Sequence, residues 1–271
     1  MNKHLVRFLI RHYPFQKGRG SLIAYAMKHV SGMNISTDAF GNRFLLDLDN
    51  YIDCRMFLEG SYEQHDIMTL VRCVEQYDCR YFIDVGANIG VYTVPLAAHS
   101  RVRKLYAFEP DPRNYAQLTA NIFLNQHHDK VTAYHLALSA EPGLSTLHTA
   151  SEPNRNESGK FNTGANSLIF NAERHSGSGI EVQIQTIDAL IHLEGQNIAI
   201  KIDVEGHELS VLRGMKSCLA NNRCVIMVEA FDERFEAVNE YLQESGYKLF
   251  GDSQLSEFNY VYVTDERRYI S

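Results

Sequence analysis

From Tyr81 onward the chain alternates short apolar runs with stretches whose apolar residues recur every three or four positions, the signature of strands alternating with helices. The runs predict strands at 81–86, 104–109, 131–138, 197–204 and 224–230. Helices near 89–99, 111–125, 207–220 and 232–245 fall between them. Because these runs are almost continuously apolar, each strand is expected to be covered on both faces, as in a parallel sheet. Strands at 247–251 and 259–264 follow too closely for a helical crossover, so they are expected to form an antiparallel pair at the sheet edge. The fold class expected is α/β with a doubly wound, mostly parallel sheet. Pro95 lies inside the first of these helices and predicts a bend or a late start.

Ahead of this unit, helical spacing appears near 3–12 and 20–31. A hairpin is expected from Asn34–Phe40 and Arg43–Leu48 around the turn dipeptide Gly41-Asn42. Gln64–Gln76 places Ile67, Leu70, Val71 and Val74 on one helical side. These elements suggest a helical and hairpin accessory region over 1–78 and a main domain over 79–271. One stretch breaks the alternation. Residues 151–180 are rich in Ser, Asn, Gly and charge, and a loop of that length is either a substrate-binding lid or a mobile insertion.

Composition changes this picture little. Apolar residues make up 45% of the 271, enough for a large core. The five cysteines, at 54, 73, 79, 218 and 224, have none of the spacings of a zinc site and read as buried thiols in a reducing compartment. With no secretory pattern and no run of the roughly 20 apolar residues needed for a span, the expected location is cytoplasmic.

The charge is unevenly spread. The net charge is −7, yet residues 1–37 hold Lys3, Arg7, Arg11, Lys17, Arg19 and Lys28 and no Asp or Glu. The favoured reading is a solvated helix that packs Leu5, Phe8 and Leu9 inward with its cations outward. The competing reading is a basic amphipathic segment in peripheral contact with anionic lipid or a diphosphate-linked substrate. An acidic chain overall argues against nucleic acid as a partner.

The chemistry gathers where strands end. Tyr81-Phe82-Ile83-Asp84-Val85-Gly86-Ala87-Asn88-Ile89-Gly90 reads as a buried strand breaking into a nucleotide-binding loop. Gly86 and Gly90 allow a sharp turn and close backbone approach. A dinucleotide fingerprint would need glycines at 86, 88 and 91, but 88 and 91 are Asn and Val, which argues against a nicotinamide-dependent oxidoreductase. Asp-x-Gly-x-Asn-x-Gly instead suits a ligand with a ribose and an amino-acid tail, and points to S-adenosylmethionine. Glu109 ends the second strand 19 residues after Gly90, where a carboxylate can accept both ribose hydroxyls. Asn197–Glu208 alternates strictly, with Ile198, Ile200, Ile202 and Val204 on one face and Lys201, Asp203 and Glu205 on the other. Three charges on a central strand must pair or meet a polar ligand. An ion pair between Lys201 and Asp203 is the favoured account of Lys201, and placement in a first helical turn accounts for Glu208. Glu229 ends the fifth strand. With Asp203 it offers two carboxylates, so a divalent metal is the weaker alternative.

The pieces Gly60-Ser61-Tyr62-Glu63, Asp84–Gly90, Phe108-Glu109-Pro110 and Lys201-Ile202-Asp203-Val204-Glu205-Gly206-His207-Glu208 with Leu212-x-Gly214 resemble the FkbM family of S-adenosylmethionine-dependent methyltransferases. The resemblance covers roughly residues 55–264 and implies a Rossmann-like class I methyltransferase sheet. It further implies O-methylation of a sugar hydroxyl in a bacterial glycan, nucleotide-sugar or glycolipid, with a small-molecule natural product as the alternative acceptor. Carried over by position, it assigns cofactor contacts to Asp84, Gly86, Ala87, Asn88 and Gly90, a ribose contact to Glu109, a methionine-end contact to Glu63 and an adenine neighbour in Ala137. Asp203 or His207 is the expected base and Glu205 orients the acceptor. Lys201, Asn166 and Glu229 are expected on the substrate side. A non-catalytic domain of this fold would lack the acidic groups at these strand ends.

Overall fold

The computed structural model describes residues 3–13, 17–150, 159–173, 175–250, 255 and 258–265. The chain opens with helices α1 (Lys3–Arg11) and α2 (Arg19–Met27), strands β1 (Met33–Thr37) and β2 (Arg43–Asp47), and helices α3 (Tyr51–Glu59) and α4 (Gln64–Gln76). There follow β3 (Tyr81–Val85), α5 (Thr93–Ala98), β4 (Lys104–Phe108), α6 (Pro112–Leu124), β5 (Val131–Tyr134), β6 (Ala137–Leu138) and β7 (Gly143–Ala150). A single 3-10 turn at Thr163–Ala165 leads to β8 (His175–Gln185), α7 (Ile187–Leu190), β9 (Asn197–Ile202), α8 (Glu208–Arg213) and α9 (Lys216–Asn221). The described elements end with β10 (Arg223–Glu229), α10 (Asp232–Glu244), β11 (Tyr247–Leu249) and β12 (Asn259–Thr264).

Seven strands form the central sheet in the order β11-β12-β10-β9-β3-β4-β5. β10, β9, β3, β4 and β5 pair in parallel, while β12 runs antiparallel to both β10 and β11. The expected closing pair is therefore present, with its reversed strand one place in from the edge. The strand order reverses between β3 and β9, whose register pairs Asp84 with Lys201 and Val85 with Ile202. Such a reversal leaves a crevice at the carboxyl ends of the two strands. Alternate residues of each strand feed two cores. Phe82, Leu105, Ala199, Met227 and Val261 face the layer containing α1 to α4, and Ile83, Ile200, Ile202, Ile226 and Tyr262 face α8 to α10.

Three expectations about the elements after Tyr81 need correction. The run 131–138 is two strands: β5 ends at Tyr134, the chain bends at His135-Leu136, and β6 joins a separate three-stranded sheet ordered β6-β8-β7. The helix expected over 207–220 breaks at Gly214, because that backbone passes so close to Ser139 that a Cβ would sit 2.0 Å from its carbonyl oxygen. The stretch 151–180 is only in part a loop. β8 starts at His175 and pairs with β7, and Asn162 to Leu168 return to the carboxyl end of the central sheet; positions 151–158 lie outside the described residues.

The N-terminal helix is oriented opposite to the packing favoured from sequence. Val6 and Ile10 are buried, while Leu5, Phe8 and Leu9 are 56%, 57% and 55% exposed. Arg7 and Arg11 turn inward instead. Arg11 donates to the carbonyls of Phe57 (3.2 Å) and Leu58 (3.4 Å), and Arg7 donates to Thr37 O and lies over the Phe57 ring. For Arg11 the cause is the end of α3, whose last carbonyls have no intrahelical donors and carry negative dipole charge, so a guanidinium satisfies both.

Gly86 ties the two halves of the sheet together. Its φ is +81°, and a Cβ there would lie 1.8 Å from the carbonyl oxygen of Asp203. Gly86→Ala is expected to lose at least about 1–3 kcal/mol, the scale of a forced backbone conformation, in denaturant titration. An unchanged midpoint would show that the β3 and β9 ends are not held this closely.

Candidate functional site

The crevice at the β3/β9 reversal opens into a cleft of about 920 Å³. One wall is the turn after β3. Gly86 and Ala87 donate their amides to Phe108 O at 3.0 and 2.9 Å, and Gly90 donates to Ala87 O at 2.8 Å. Asn88, at φ +50°, instead donates its amide to Glu109 Oε2 at 2.8 Å. Glu109 Oε1 accepts from the Asp111 amide at 2.8 Å, so one carboxylate joins the ends of β3 and β4. Burial pushes Glu109 up to about 8 against the pull of these two amides.

The placement of the cofactor-side residues divides them. Glu63, Gly86, Asn88, Glu109 and Ala137 line the cleft. Asp84, Ala87 and Gly90 do not line it; they build the turn beneath it. Asp84 is buried and accepts from Thr93 Oγ1 at 2.5 Å, with burial raising it to about 6. Ala87 is buried, and Gly90 packs on Leu118 and Val94. Glu63 takes a hydrogen bond from Tyr92 Oη at 2.8 Å, and burial holds its carboxyl above the ordinary range. Val85, Phe108, Leu136, Leu138 and Leu147 make the cleft's apolar side.

The opposite wall carries the charges of the Lys201–Glu208 segment. Asp203, Glu205 and Glu229 line the cleft and bring carboxylate oxygens within 4.8 Å of one another. Lys201 does not line it. Its side chain is 1% exposed, with Nζ 3.7 Å from Asp203 Oδ2 and 2.9 Å from Asn259 Oδ1. Burial alone would lower the Lys201 ammonium, but Asp203, Glu229, Glu63 and Asp84 outweigh it and hold it above its ordinary value. Lys201 is thus buried behind Asp203 and away from the cleft surface, not on the substrate side where it was expected. Glu229 is raised, first by the neighbouring Asp203 and then by burial, so the pair retains a proton. His207 lines the cleft with Nε2 2.9 Å from Ser139 Oγ, and burial lowers it, which keeps the ring neutral near pH 7. Glu208 accepts from the Gly206 amide at 2.7 Å at the start of α8.

Asn166 lines the cleft, but its amide is engaged on both sides, donating to Asp111 Oδ2 and accepting from Ala150 N, each at 2.9 Å. Sequence reasoning missed Asn114 and Asn162, which also line it, while Ser167 does so within the Gly164-Ala165-Asn166-Ser167-Leu168 piece that resembles a family stretch beside the active site. Among the described residues, the buried side-chain oxygens of Asn88, Asn114 and Asn162 have no hydrogen-bond partner. Gly164 holds this wall close: it approaches Ile52 and Asn88 so nearly that a Cβ would lie 2.6 Å from Ile52 Cδ1.

Residues 84–249 match the methyltransferase FkbM domain family. Methyltransferase 1 of Beauveria bassiana is 26% identical over 193 residues, 64% of this chain and 74% of the relative. Hexuronic acid methyltransferase AglP of Haloferax volcanii is 28% identical over 169 residues, 61% of each chain. The crystal structure of methyltransferase FkbM from Methylobacillus flagellatus superposes with a TM-score of 0.46 at 16% identity, over 69% of this chain and 44% of that one. The chain thus aligns with about three-fifths to three-quarters of the length of these two sequence relatives.

The buried carboxyls give the fold a definite pH dependence. Burial raises Asp53 to about 7, Asp84 to about 6 and Glu109 to about 8, so the folded state keeps protons that the unfolded chain releases near pH 4. Their contribution is complete below about pH 4 and is lost as pH rises through 6 to 8. Without ligand, Tm is therefore expected to fall between pH 5.5 and 8.5 in calorimetric scans. A flat or rising profile would contradict these environments.

Proposed function

Because the chain belongs to the FkbM methyltransferase family, we propose that it transfers a methyl group from S-adenosylmethionine to a sugar hydroxyl, with residues 79–271 as the methyltransferase domain and Glu63 reaching its cleft from the accessory region. The observation that carries this reading is the composition of the cleft's two walls. One presents acceptors without partners, the Asn88, Asn114 and Asn162 oxygens, beside the Glu109 and Glu63 carboxylates. Such a wall fits a ligand rich in donors, as a ribose, an adenine amino group and an α-ammonium are. Glu109 would take the ribose hydroxyls, Glu63 the methionine end, and Ala137 with Leu136 and Leu138 the adenine. When bound, the cofactor supplies an electrophilic methyl on a sulfonium whose departure leaves a neutral thioether.

The chain's own residues then have two tasks. The first is alignment of the acceptor, which supplies several kcal/mol by making the encounter effectively intramolecular. Glu205, held at φ +50°, aims a carboxylate for this into the cleft. The second is removal of the hydroxyl proton. Asp203 is the base we favour, because Lys201 lies beside it and Glu229 already carries the pair's proton. His207 is the alternative, a neutral imidazole held by Ser139. AglP, named for a hexuronic acid, supports a sugar acceptor over a small natural product.

Asp203→Asn should leave cofactor affinity within about twofold by calorimetry and cut turnover about 10²–10⁴-fold, the usual contribution of a positioned base. Turnover within threefold of wild type would transfer the role to His207, and no cofactor binding by the wild type would sink the reading.

The same proposal includes peripheral contact with an anionic lipid surface, supported by the outward face of α1. Leu5, Phe8 and Leu9 of α1, with Tyr25 of α2 and Met33 and Ile35 of β1, are each more than half exposed, and although Arg7 and Arg11 turn inward, Lys17 and Lys28 of the same segment are exposed. Apolar burial combined with basic charge is what holds a helix at a charged interface. The protein should sediment with vesicles containing anionic lipid and not with purely zwitterionic ones, and Phe8→Asp with Leu9→Asp should weaken this at least about tenfold. Equal sedimentation of the double variant would remove lipid from the proposal.

A further inference from the structure

Beyond Glu205 lies a second cleft, of about 1030 Å³, which shares Glu205 and Ser167 with the first. The two clefts therefore meet at the carboxylate assigned to orient the acceptor. Ser167 fixes that junction, donating to Glu205 O at 2.8 Å and accepting from the Ile169 amide at 3.0 Å.

The lining of the second cleft differs in kind from the first. Its faces are the rings of Phe170, Phe231 and Phe258, the last two with centroids 4.9 Å apart. Among them sits Arg234, in the first turn of α10. The guanidinium rests against the backbone of Gly206, beside Glu205: φ +106° there favours glycine, and a Cβ would lie 2.0 Å from Arg234 Nη1 and push the arginine tip aside. Among the described residues no carboxylate forms an ion pair with Arg234, although its charge reaches Glu208. Glu173 and Glu205 line the same cleft, so the guanidinium gives it a charge of each sign.

From this we infer that the second cleft binds the acceptor, and that the acceptor is a sugar carrying an anionic group, a carboxylate or a phosphate. The inference rests on the methyl-transfer reading and names its substrate class. Aromatic faces take the C–H side of a pyranose ring, and a guanidinium offers a planar fork to a carboxylate or phosphate. Glu205 accepts hydrogen bonds from the sugar hydroxyls at the junction. An uncharged acceptor would leave Arg234 without use, while an anion lacking aromatic-facing C–H surface would leave the rings bare.

The test compares matched acceptors: a uronic acid glycoside, the corresponding neutral hexoside, and the hexose 1-phosphate and its nucleoside-diphosphate form. Methyl transfer is followed with labelled S-adenosylmethionine. The wild type should favour an anionic member over the neutral hexoside by about tenfold or more in kcat/KM, the scale of one charge-assisted contact. Arg234→Gln should collapse that ratio to within about threefold through KM, and Arg234→Lys should restore part of it. The uronic acid and phosphate arms tell which anion is read. Equal use of neutral and anionic acceptors by the wild type would overturn this inference and leave the methyl-transfer reading standing. No transfer to any sugar, despite cofactor binding, would overturn both.

Discussion

The site depends on a single buried ammonium. Lys201 lies in the middle of a central strand, 1% exposed, where an unpaired charge would cost several kcal/mol. Its partners come from every direction. Asp203 is on its own strand, Asn259 begins β12 and passes the contact on to Asp66 of α4 at 3.0 Å, and the Tyr92 ring lies 5.3 Å away and holds Glu63. One cation thereby fixes the relative positions of α4, the turn after β3, the β9 end and the reversed strand β12. A substitution that removed it would leave Asp203, Glu229, Glu63 and Asp84 facing one another without compensation.

That arrangement explains why the cleft divides as it does. Carboxyl groups around Lys201 outnumber the charge they share, so some must stay protonated, and Glu229 does. The cofactor wall is governed by a different constraint, unpartnered oxygens from asparagines that α6, the β3 turn and the returning loop bring together. The first wall is set by charge balance and the second by hydrogen bonds left for a ligand. They meet because β3 and β9 are neighbours at the sheet reversal.

Much of this is written locally and was legible. The β3, β4, β9 and β10 runs are short apolar strings ending in acids, and the strand ends are where Asp84, Glu109, Asp203 and Glu229 lie. The Lys201–Asp203 pairing follows from a period of two on a covered strand. What the sequence hid depends on distant contacts. Asn259 is 58 positions from Lys201, and Asn114 and Asn162 become neighbours only through the return of the loop. The inward turn of Arg7 and Arg11 was hidden for the same reason, since the carbonyls that accept from them belong to Thr37 of β1, 30 positions away, and to α3, 46 and 47 positions away. The second sheet is another case: Ile180, Val182 and Ile184 alternate with Glu181, Gln183 and Gln185, a strand pattern obscured by the glycines and serines before it.

The charge of the cleft also bears on turnover. Carboxylates near a sulfonium bind it more tightly than the neutral thioether left after transfer, which favours product release but also stabilises the ground state, and ground-state binding does not raise kcat. A site with every carboxyl ionised would deepen that ground state. The proton kept on Glu229 and the ammonium of Lys201 both moderate it. The acceptor's own anionic group would add to the negative field if it lay among these carboxylates. In the proposed pose, against Arg234 on the far side of Glu205, that charge would stay out of the reacting region while the hydroxyl reached in.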